Sequence, residues 1–522
     1  MKKQSKQLKI SLPFLLLVTL CVIMVIIVFT QARAYGITMD EPLQDQYGVS
    51  ILHWYTSLGR DTSFLNYTAD TYMPEHGAIF DALVALAQQI LGHHWYTRAV
   101  MTGLAGVAGV VAVALCGYEI SGTWGALLAA LGLWLYPRYF GAMWNNPKDV
   151  PFAAAMTWIL WAVILLVKHW KSRRFLWYCV LVGFCIGFAA SIRVTAVIWY
   201  GILAVFFGSW WVINGVRCRR EKQIRSLLIK QVMAAMAVGL VSLLTMIAFW
   251  PYIFISPFAH LYRSVIIMSR FPWNGNVLFN GVIYPAMNLP RIYAPAWLII
   301  GSPLPLVLCL IVGAAYLFKK RLADPVITLV FFAFVIPLAS LVILHAALYG
   351  ALRQFLFLVP PMILIAVYGV VEVLRLLIAH RRRFIATGLV LLLLASYAFV
   401  VAEMVSLHPY EYIYFNPIVG GLPGSANKYE LDYWASCDRA SAQWLAQHYQ
   451  QYTTKHNPSV QGITYFEQLI MLYLPGNFYV DTQQPDFYVA PTWENDASSA
   501  YRVIHVESIE NIPLCVVEVK DE

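Results

Sequence analysis

The sequence predicts a polytopic α-helical membrane protein. It has about eleven transmembrane helices, further helices lying along one membrane face, and a small C-terminal α/β domain outside the bilayer. Three observations carry this. The chain of 522 residues is 60% hydrophobic and 12% charged, with a mean hydropathy of +0.64, whereas soluble domains carry about 25% charged residues. Its apolar residues come in long runs, each near the ~20 residues a helix needs to cross the hydrocarbon core. Its Lys and Arg sit in short clusters between those runs, the pattern that marks cytoplasmic loops. The net charge of +9 therefore belongs to membrane topology. No basic stretch interleaved with stacking aromatics points to nucleic acid.

The first run, 10–31, follows Lys2, Lys3, Lys6 and Lys9. It is longer than the apolar region of a cleaved secretory signal, so it reads as a retained first span. Further spans are expected at 99–118, 122–141, 150–168, 175–192, 195–213, 231–250, 296–318, 325–344, 354–376 and 384–404. With the N-terminus in the cytoplasm, the cytoplasmic connections are 118–121, 168–174, 217–230, 319–321 and 380–383. All but the tight turn at 118–121 are dense in Lys and Arg. The external connections are 32–98, 142–149, the turn at 193, 251–295, 345–353 and everything after 404, and none holds a basic cluster. The chain thus divides into a multi-pass transmembrane part, 1–404, and an external domain, 405–522.

In the loop 32–98, apolar spacing over 45–58 and 77–91 predicts helices along the interface, with Trp54, Tyr55, Trp95 and Tyr96 at headgroup level. In the tail, 436–449 has helical periodicity, and 461–466, 477–481, 486–490, 502–507 and 514–519 read as strands. Six of the eight cysteines lie in or beside apolar runs. Only Cys437 and Cys515 fall in the tail. An oxidising compartment would permit a disulfide between them, and two buried thiols are the alternative.

Ionisable residues at membrane depth or at helix mouths cost energy to keep and mark function. Here they gather on the external side: Asp40 and Glu41 after the first span, Arg98, Lys148 and Asp149, Arg193 and Arg353. Glu75 and His76 lie in the first loop. Guanidinium groups bind phosphate in bidentate fashion and stay charged, and a carboxylate can take a proton from a hydroxyl. This set suits a lipidic, anionic substrate that loses a phosphate. Each residue also has a plainer reading. Asp40-Glu41-Pro42 and Lys148-Asp149-Val150-Pro151 make good helix starts, and Arg98 or Arg193 could snorkel to headgroups. No zinc-ligand spacing, His-Glu-x-x-His or phosphate-binding glycine loop is present. Asn66-Tyr67-Thr68 matches a glycosylation sequon.

Four stretches make the pattern specific. They are Thr38-Met39-Asp40-Glu41-Pro42; Pro137-Arg138-Tyr139-Phe140-Gly141 leading into Asn145-Asn146-Pro147-Lys148-Asp149-Val150-Pro151; Leu352-Arg353-Gln354-Phe355 through Val359-Pro360-Pro361; and His408-Pro409-Tyr410-Glu411 through Asn416-Pro417, followed by Glu430-Leu431-Asp432-Tyr433-Trp434. Together, over roughly 10–435, they resemble the C-type-fold membrane glycosyltransferases. The nearest branch is the protein O-mannosyltransferase and aminoarabinose-transferase group, in particular its bacterial dolichyl-phosphate-mannose-protein mannosyltransferase-like members. The resemblance implies transfer of a sugar from a polyprenyl-phosphate-linked donor, with inversion. It assigns Asp40 as the base and Glu41 as a neighbour shaping the site. Asp149 would orient the acceptor or hold a divalent cation, Mg or Mn. Arg353 would meet the carrier phosphate, with Arg98 and Arg193 as weaker candidates. Lys148, Glu75 and His76 complete the candidate substrate-binding set. No loop is long enough for the β-trefoil domain common in protein O-mannosyltransferases, so the acceptor could be a protein, a lipid or a glycan. The competing readings are a transporter or lipid flippase and a non-catalytic envelope scaffold. Against the first, the charges sit at one face rather than at the midplane of broken, repeated helices.

Overall fold

The computed structural model describes residues 11–67, 71–217, 221–320, 324–462, 467–493 and 500–521. The basic N-terminal stretch from Lys2 to Lys9, Thr68 of the sequon, 218–220 of one basic connection, Arg321 and the 463–466 part of one expected strand lie outside the described residues.

Each long apolar run is helical. α1 (Leu12–Gln31) starts with Pro13 in its first turn, where a missing N–H costs nothing. α2 (Glu41–Thr56) and α3 (Ile79–Leu91) fill the first long loop and pack on each other. Gly48 permits this contact, since a Cβ there would stand 2.4 Å from the Asp81 carbonyl oxygen. α4 (His94–Trp134) contains two of the expected spans. It reverses at Gly122 (φ 74°, ψ −160°), a backbone conformation essentially reserved for glycine. On either side of the reversal the arms touch backbone to backbone, for a Cβ on Gly117 would lie 2.4 Å from the Gly125 carbonyl oxygen. The second arm stops at Trp134, short of the expected 141. The cause is Pro137, which holds Tyr136 in extended backbone and starts the separate short helix α5 (Pro137–Ala142).

α6 (Asp149–Lys168), α7 (Phe175–Ala190), α8 (Ile198–Arg217) and α9 (Glu221–Phe249) follow. Then come two short helices, α10 (Pro251–Ile255) and α11 (Pro257–Ser269), and a hairpin of β1 (Asn276–Phe279) and β2 (Val282–Pro285). The span expected over 296–318 is not continuous. α12 (Tyr293–Ile300) and α13 (Leu304–Lys319) meet at 116°, because Pro303 has no N–H to donate and Gly301-Ser302 offers no helix support. α14 (Pro325–Leu344), α15 (Val359–Ala379) and α16 (Arg383–Leu407) complete the bundle. Among the described residues, seven helices are long and apolar enough to cross a membrane, eight if α12 and α13 form one bent span. Of these, α4 covers two expected runs.

The helix ends sort onto two faces. At one, Lys168 pairs with Glu119, Lys230 Nζ donates to the Trp170 carbonyl, and Arg375 donates to the Ser121 carbonyl. Basic connections far apart in sequence therefore share this face. The other face carries Asp40, Arg98, Lys148, Asp149, Arg193 and Arg353.

The tail begins inside the main core. Tyr410, Tyr412, Phe415 and Trp434 belong to it, as do Cys437 and Cys515, and a second core starts only with Ala442. The packing boundary thus falls later than the expected 404. After α17 (Gly421–Ser425), α18 (Asp438–His448) covers a mixed sheet of order β4-β3-β5-β7-β6. Its strands are β3 (Ser459–Gln461), β4 (Tyr479–Val480), β5 (Phe487–Pro491), β6 (Tyr501–Ile509) and β7 (Ile512–Lys520), with the short helix α19 (Glu467–Met471) between β3 and β4. A disulfide joins Cys437, ahead of α18, to Cys515 on β7, with Cα atoms 5.8 Å apart.

Candidate active site

Asp40 occupies the N-cap position of α2, yet its side chain caps nothing. Instead Oδ2 accepts a hydrogen bond from Arg353 Nη1 at 2.6 Å. The helix starts here as the Asp40-Glu41-Pro42 stretch predicts, but the Asp40 carboxylate is turned to Arg353 and not to the helix N–H groups. Arg353 begins a 3-10 stretch, Arg353–Leu358, just ahead of α15. It follows two consecutive left-handed residues, Gly350 and Ala351, at φ 64° and 60°. Gly350 is required twice: for its φ, and because a Cβ would stand 2.6 Å from Arg353 Nε. Ala351 has no such excuse, and its left-handed backbone costs about 1–2 kcal/mol that its surroundings must offset. Three rings surround the guanidinium carbon, those of Tyr349, Trp434 and Tyr433 at 4.9, 5.5 and 6.0 Å. The cation is mostly enclosed, at 13% exposure, while Asp40 keeps 39% of its side chain open.

Beside this pair lies a second one. Asp149 Oδ1 pairs with Arg193 Nη1, and Oδ2 accepts from Asn146 Nδ2 at 3.1 Å. Asn146 Oδ1 in turn accepts from the Asp149 N–H at 2.9 Å, so the Asn-Asn-Pro-Lys-Asp stretch folds into its own side-chain brace. Burial pushes the Tyr349 phenol above its ordinary range, and the charges acting on it are Arg353, Asp40, Arg193 and Asp149. One ring thus reports that four of the expected site residues, from four segments, converge. A divalent cation at Asp149 would have to displace Arg193, so the residues present do not offer a ready metal seat there.

Glu41, one residue beyond Asp40, points to a different place. It is 3% exposed. Its Oε2 accepts from Thr38 N at 2.7 Å and Thr38 Oγ1 at 3.2 Å. Its Oε1 lies 3.4 Å from Arg98 Nε. Arg98 is fully buried and also meets Asp45 at 3.5 Å and Asp81 at 3.6 Å. Lys148 Nζ reaches Asp81 at 3.1 Å and the Gly77 carbonyl at 2.7 Å. Arg98 and Lys148, expected as substrate contacts, are therefore counter-charges inside a sealed network, and a phosphate would have to break it open to touch them. Burial pushes Glu41 up to about 7, against the pull of Arg98 and the Thr38 donors.

Glu75 and His76 sit at the edge of this region. Glu75 is buried and accepts from Arg263 Nε at 2.8 Å and Tyr252 OH at 3.3 Å, tying the first loop to α11 and α10. Burial, with Lys148 and Arg193 nearby, holds the His76 imidazole well below its usual range.

Other residues of the quoted stretches gain roles that their sequence did not announce. Arg138 is buried, donates from Nε to the Tyr414 carbonyl at 2.9 Å, and lies between the rings of Trp297 and Phe415 at 4.7 and 4.8 Å. Glu411 accepts from Tyr35 OH at 2.8 Å, and Gly141 packs so closely on this turn that a Cβ would lie 2.4 Å from Tyr412 N. Asp432 accepts the N–H groups of Ser436 and Cys437 at 3.1 and 2.8 Å. This fixes the segment that carries Tyr433 and Trp434 to Arg353. Their membership in motif stretches was the available signal; aromatic walls have no spacing of their own to betray them.

The chain shares its fold with solved structures of two kinds. Among solved structures, the chain is similar to ArnT from Cupriavidus metallidurans bound to undecaprenyl phosphate, at 12% identity over 96% of this chain and 97% of that one, with a TM-score of 0.51. The apo form of the same protein gives 14% identity and a TM-score of 0.52 over the same shares. The archaeal oligosaccharyltransferase AglB from Archaeoglobus fulgidus, in complex with an inhibitory peptide and a dolichol-phosphate, gives 13% identity and a TM-score of 0.52, over 91% of this chain and 69% of that one. At such identities the likeness is one of fold. No family model and no curated protein matches the chain.

Proposed function

We propose that this protein is a glycosyltransferase that moves a sugar, in the manner of a hexosyl- or mannosyltransferase, from a polyprenyl-phosphate carrier to an acceptor hydroxyl, with inversion. The acceptor is a protein, a lipid or a glycan. The site face is the periplasmic face of a bacterial inner membrane. The observation that carries this reading is the Asp40–Arg353 pair, a partly open carboxylate beside an enclosed guanidinium. The fold supports it as well, since one neighbour of this architecture holds undecaprenyl phosphate and another a dolichol-phosphate.

In the proposed reaction, the acceptor oxygen attacks the anomeric carbon and gives its proton to Asp40. The bond from that carbon to the phosphate oxygen breaks, and the polyprenyl phosphate leaves with the electron pair. Arg353 has five donors and uses one on Asp40, so it can hold Asp40 and offset the leaving phosphate's charge together. Asp149, held by Arg193 and Asn146, lines the acceptor side. Glu41 keeps α2, and so Asp40, in place. The polyprenyl chain lies in a groove between spans. No step is routed through a divalent cation, because Arg193 occupies Asp149.

The test is retention of undecaprenyl phosphate by the full chain in nanodiscs, read by native mass spectrometry. Arg353→Ala is expected to weaken binding by about tenfold or more, the scale of losing a charge-assisted hydrogen bond. Unchanged binding in a folded Arg353→Ala protein would remove the phosphate role. Movement of a lipid across vesicles without any covalent transfer would favour the flippase reading.

A further inference from the structure

Where the last span meets the tail, a cavity stands apart from the Asp40–Arg353 pair. It encloses about 270 Å³. Three elements surround it: α16 gives Phe399, Glu403 and Leu407, the turn beyond gives Tyr414 and Phe415, and the tip of the β6–β7 hairpin gives Glu510. One wall is backbone. Gly420 and Gly421 are left-handed, at φ 84° and 64°, and put no side chain into the space. The turn under this wall is fixed by Asn416, whose Nδ2 donates to the Ile299 and Ser302 carbonyls at 2.7 and 2.9 Å, at the break between α12 and α13. The Ser406 hydroxyl lies 2.9 Å from the Glu403 carbonyl and 3.2 Å from Glu510 Oε1, so the hairpin tip is held to α16. The walls are thus in place without a ligand, as is usual for binding sites.

The cavity is acidic and apolar. Among the described residues that line it there is no cation, and the charge acting on Glu403 is that of Glu510. The Tyr414 phenol neighbours Glu403, yet Glu403 Oε2 is shut off from solvent and accepts no hydrogen bond. A carboxylate oxygen so placed is costly unless a donor reaches it. Phe399, Val401 and Val405 are exposed on the same helix, so this flank of α16 faces lipid. The volume is far above the ~10–15 Å³ that one water needs, which is loose for a bare ion and ample for a headgroup. We propose that the cavity binds a membrane lipid whose headgroup ends in a primary ammonium. The three donors of that group are shared between Glu403 and Glu510, and the apolar part of the lipid lies along Phe399 and Leu407. Such a lipid joins the tail to the last span, and its binding does not depend on the proposed sugar transfer.

The experiment is a lipid competition on the full chain in detergent, read by native mass spectrometry, with melting temperature measured in parallel. Phosphatidylethanolamine and phosphatidylcholine of the same acyl chains are offered in equal amounts. They share the phosphate and differ at the head nitrogen, which carries three donors in the first and none in the second. Wild type is expected to retain phosphatidylethanolamine at least about tenfold over phosphatidylcholine, the scale of one charge-assisted hydrogen bond. The Glu403→Ala/Glu510→Ala variant is expected to bring the two within about twofold. Glu510→Lys, a change at the exposed hairpin tip, sets a tethered ammonium beside Glu403 and is expected to lose the preference as well, which keeps the test open if the double variant folds poorly. Arg353→Ala is expected to keep the preference, so this result is independent of the phosphate reading. Equal retention of the two lipids by wild type, or a preference that survives in either folded Glu variant, would overturn the proposal. Capture of free ethanolamine by a wild type that prefers neither lipid would overturn it too, by making the ligand a soluble amine.

Discussion

Asp40 and Glu41 are adjacent in sequence and belong to two different machines. Asp40 faces outward to Arg353, with 39% of its side chain open. Glu41 turns inward to Arg98, at 3% exposure. Around Asp40 stands an outer set, Arg353, Arg193 and Tyr349, that is partly open, with Asp149 buried behind Arg193. Around Glu41 stands an inner set, Arg98, Asp45, Asp81 and Lys148, that is buried. Under the proposed reaction, the same residue types serve chemistry in one and cohesion in the other. What separates them is solvent: in the outer set, charge can respond to an incoming phosphate or hydroxyl, whereas in the inner set every charge is already committed. A buried ion network of this kind adds little net stability over apolar packing, but breaking it from one side is costly.

That asymmetry sets the order of effects. Arg98→Ala should have the largest effect on stability. It leaves Glu41, Asp45 and Asp81 without their shared cation, a loss of about 3–5 kcal/mol, seen as aggregation or a collapse of the melting temperature in detergent. Survival of Arg98→Ala with an unchanged melting temperature would dissolve the distinction between the two sets. Next comes the Cys437–Cys515 bond, which ties β7 to the segment that follows Tyr433 and Trp434. Removing it by Cys437→Ser should cost about 2–4 kcal/mol. Mass spectrometry of unreduced protein should show the 437–515 cross-link, and free thiols at both positions would refute it.

The smallest effect concerns Glu41. Burial raises it from 4.5 to about 7, so the folded protein holds its proton more tightly than the unfolded chain does. Its contribution to stability is therefore complete below about pH 4.5 and is lost as the pH rises through about 7. Glu41→Gln has no such titration. The variant should gain on the wild type by a few degrees of melting temperature, roughly 2–4 °C per kcal/mol, as pH goes from 5 to 8. A difference independent of pH would mean that Glu41 is not the buried titrating group described here.

Much of this was legible in the sequence, and the reasons are physical. Long apolar runs and clustered Lys and Arg define helices and faces because lipid imposes both. Asp40, Asp149, Arg193 and Arg353 could be grouped because each begins or ends a helix on the same face. What the sequence did not reveal was partner choice. Arg98 and Arg193 look alike as arginines at helix mouths, yet one is sealed among carboxylates brought by α2 and α3 and the other is paired at the open site. That difference depends on long-range packing, notably the close α2–α3 contact at Gly48. The break at Gly301-Ser302-Pro303 was hidden by apolar neighbours on both sides.

The most direct measurement is release of polyprenyl phosphate from a panel of polyprenyl-phosphate-linked hexoses. The full chain, wild type or Asp40→Asn, would be reconstituted with membrane extracts as acceptors. The account predicts that wild type consumes at least one donor and that Asp40→Asn, with an unchanged melting temperature, does so at least about 10²–10⁴ times more slowly. Full activity in a folded Asp40→Asn protein would contradict it.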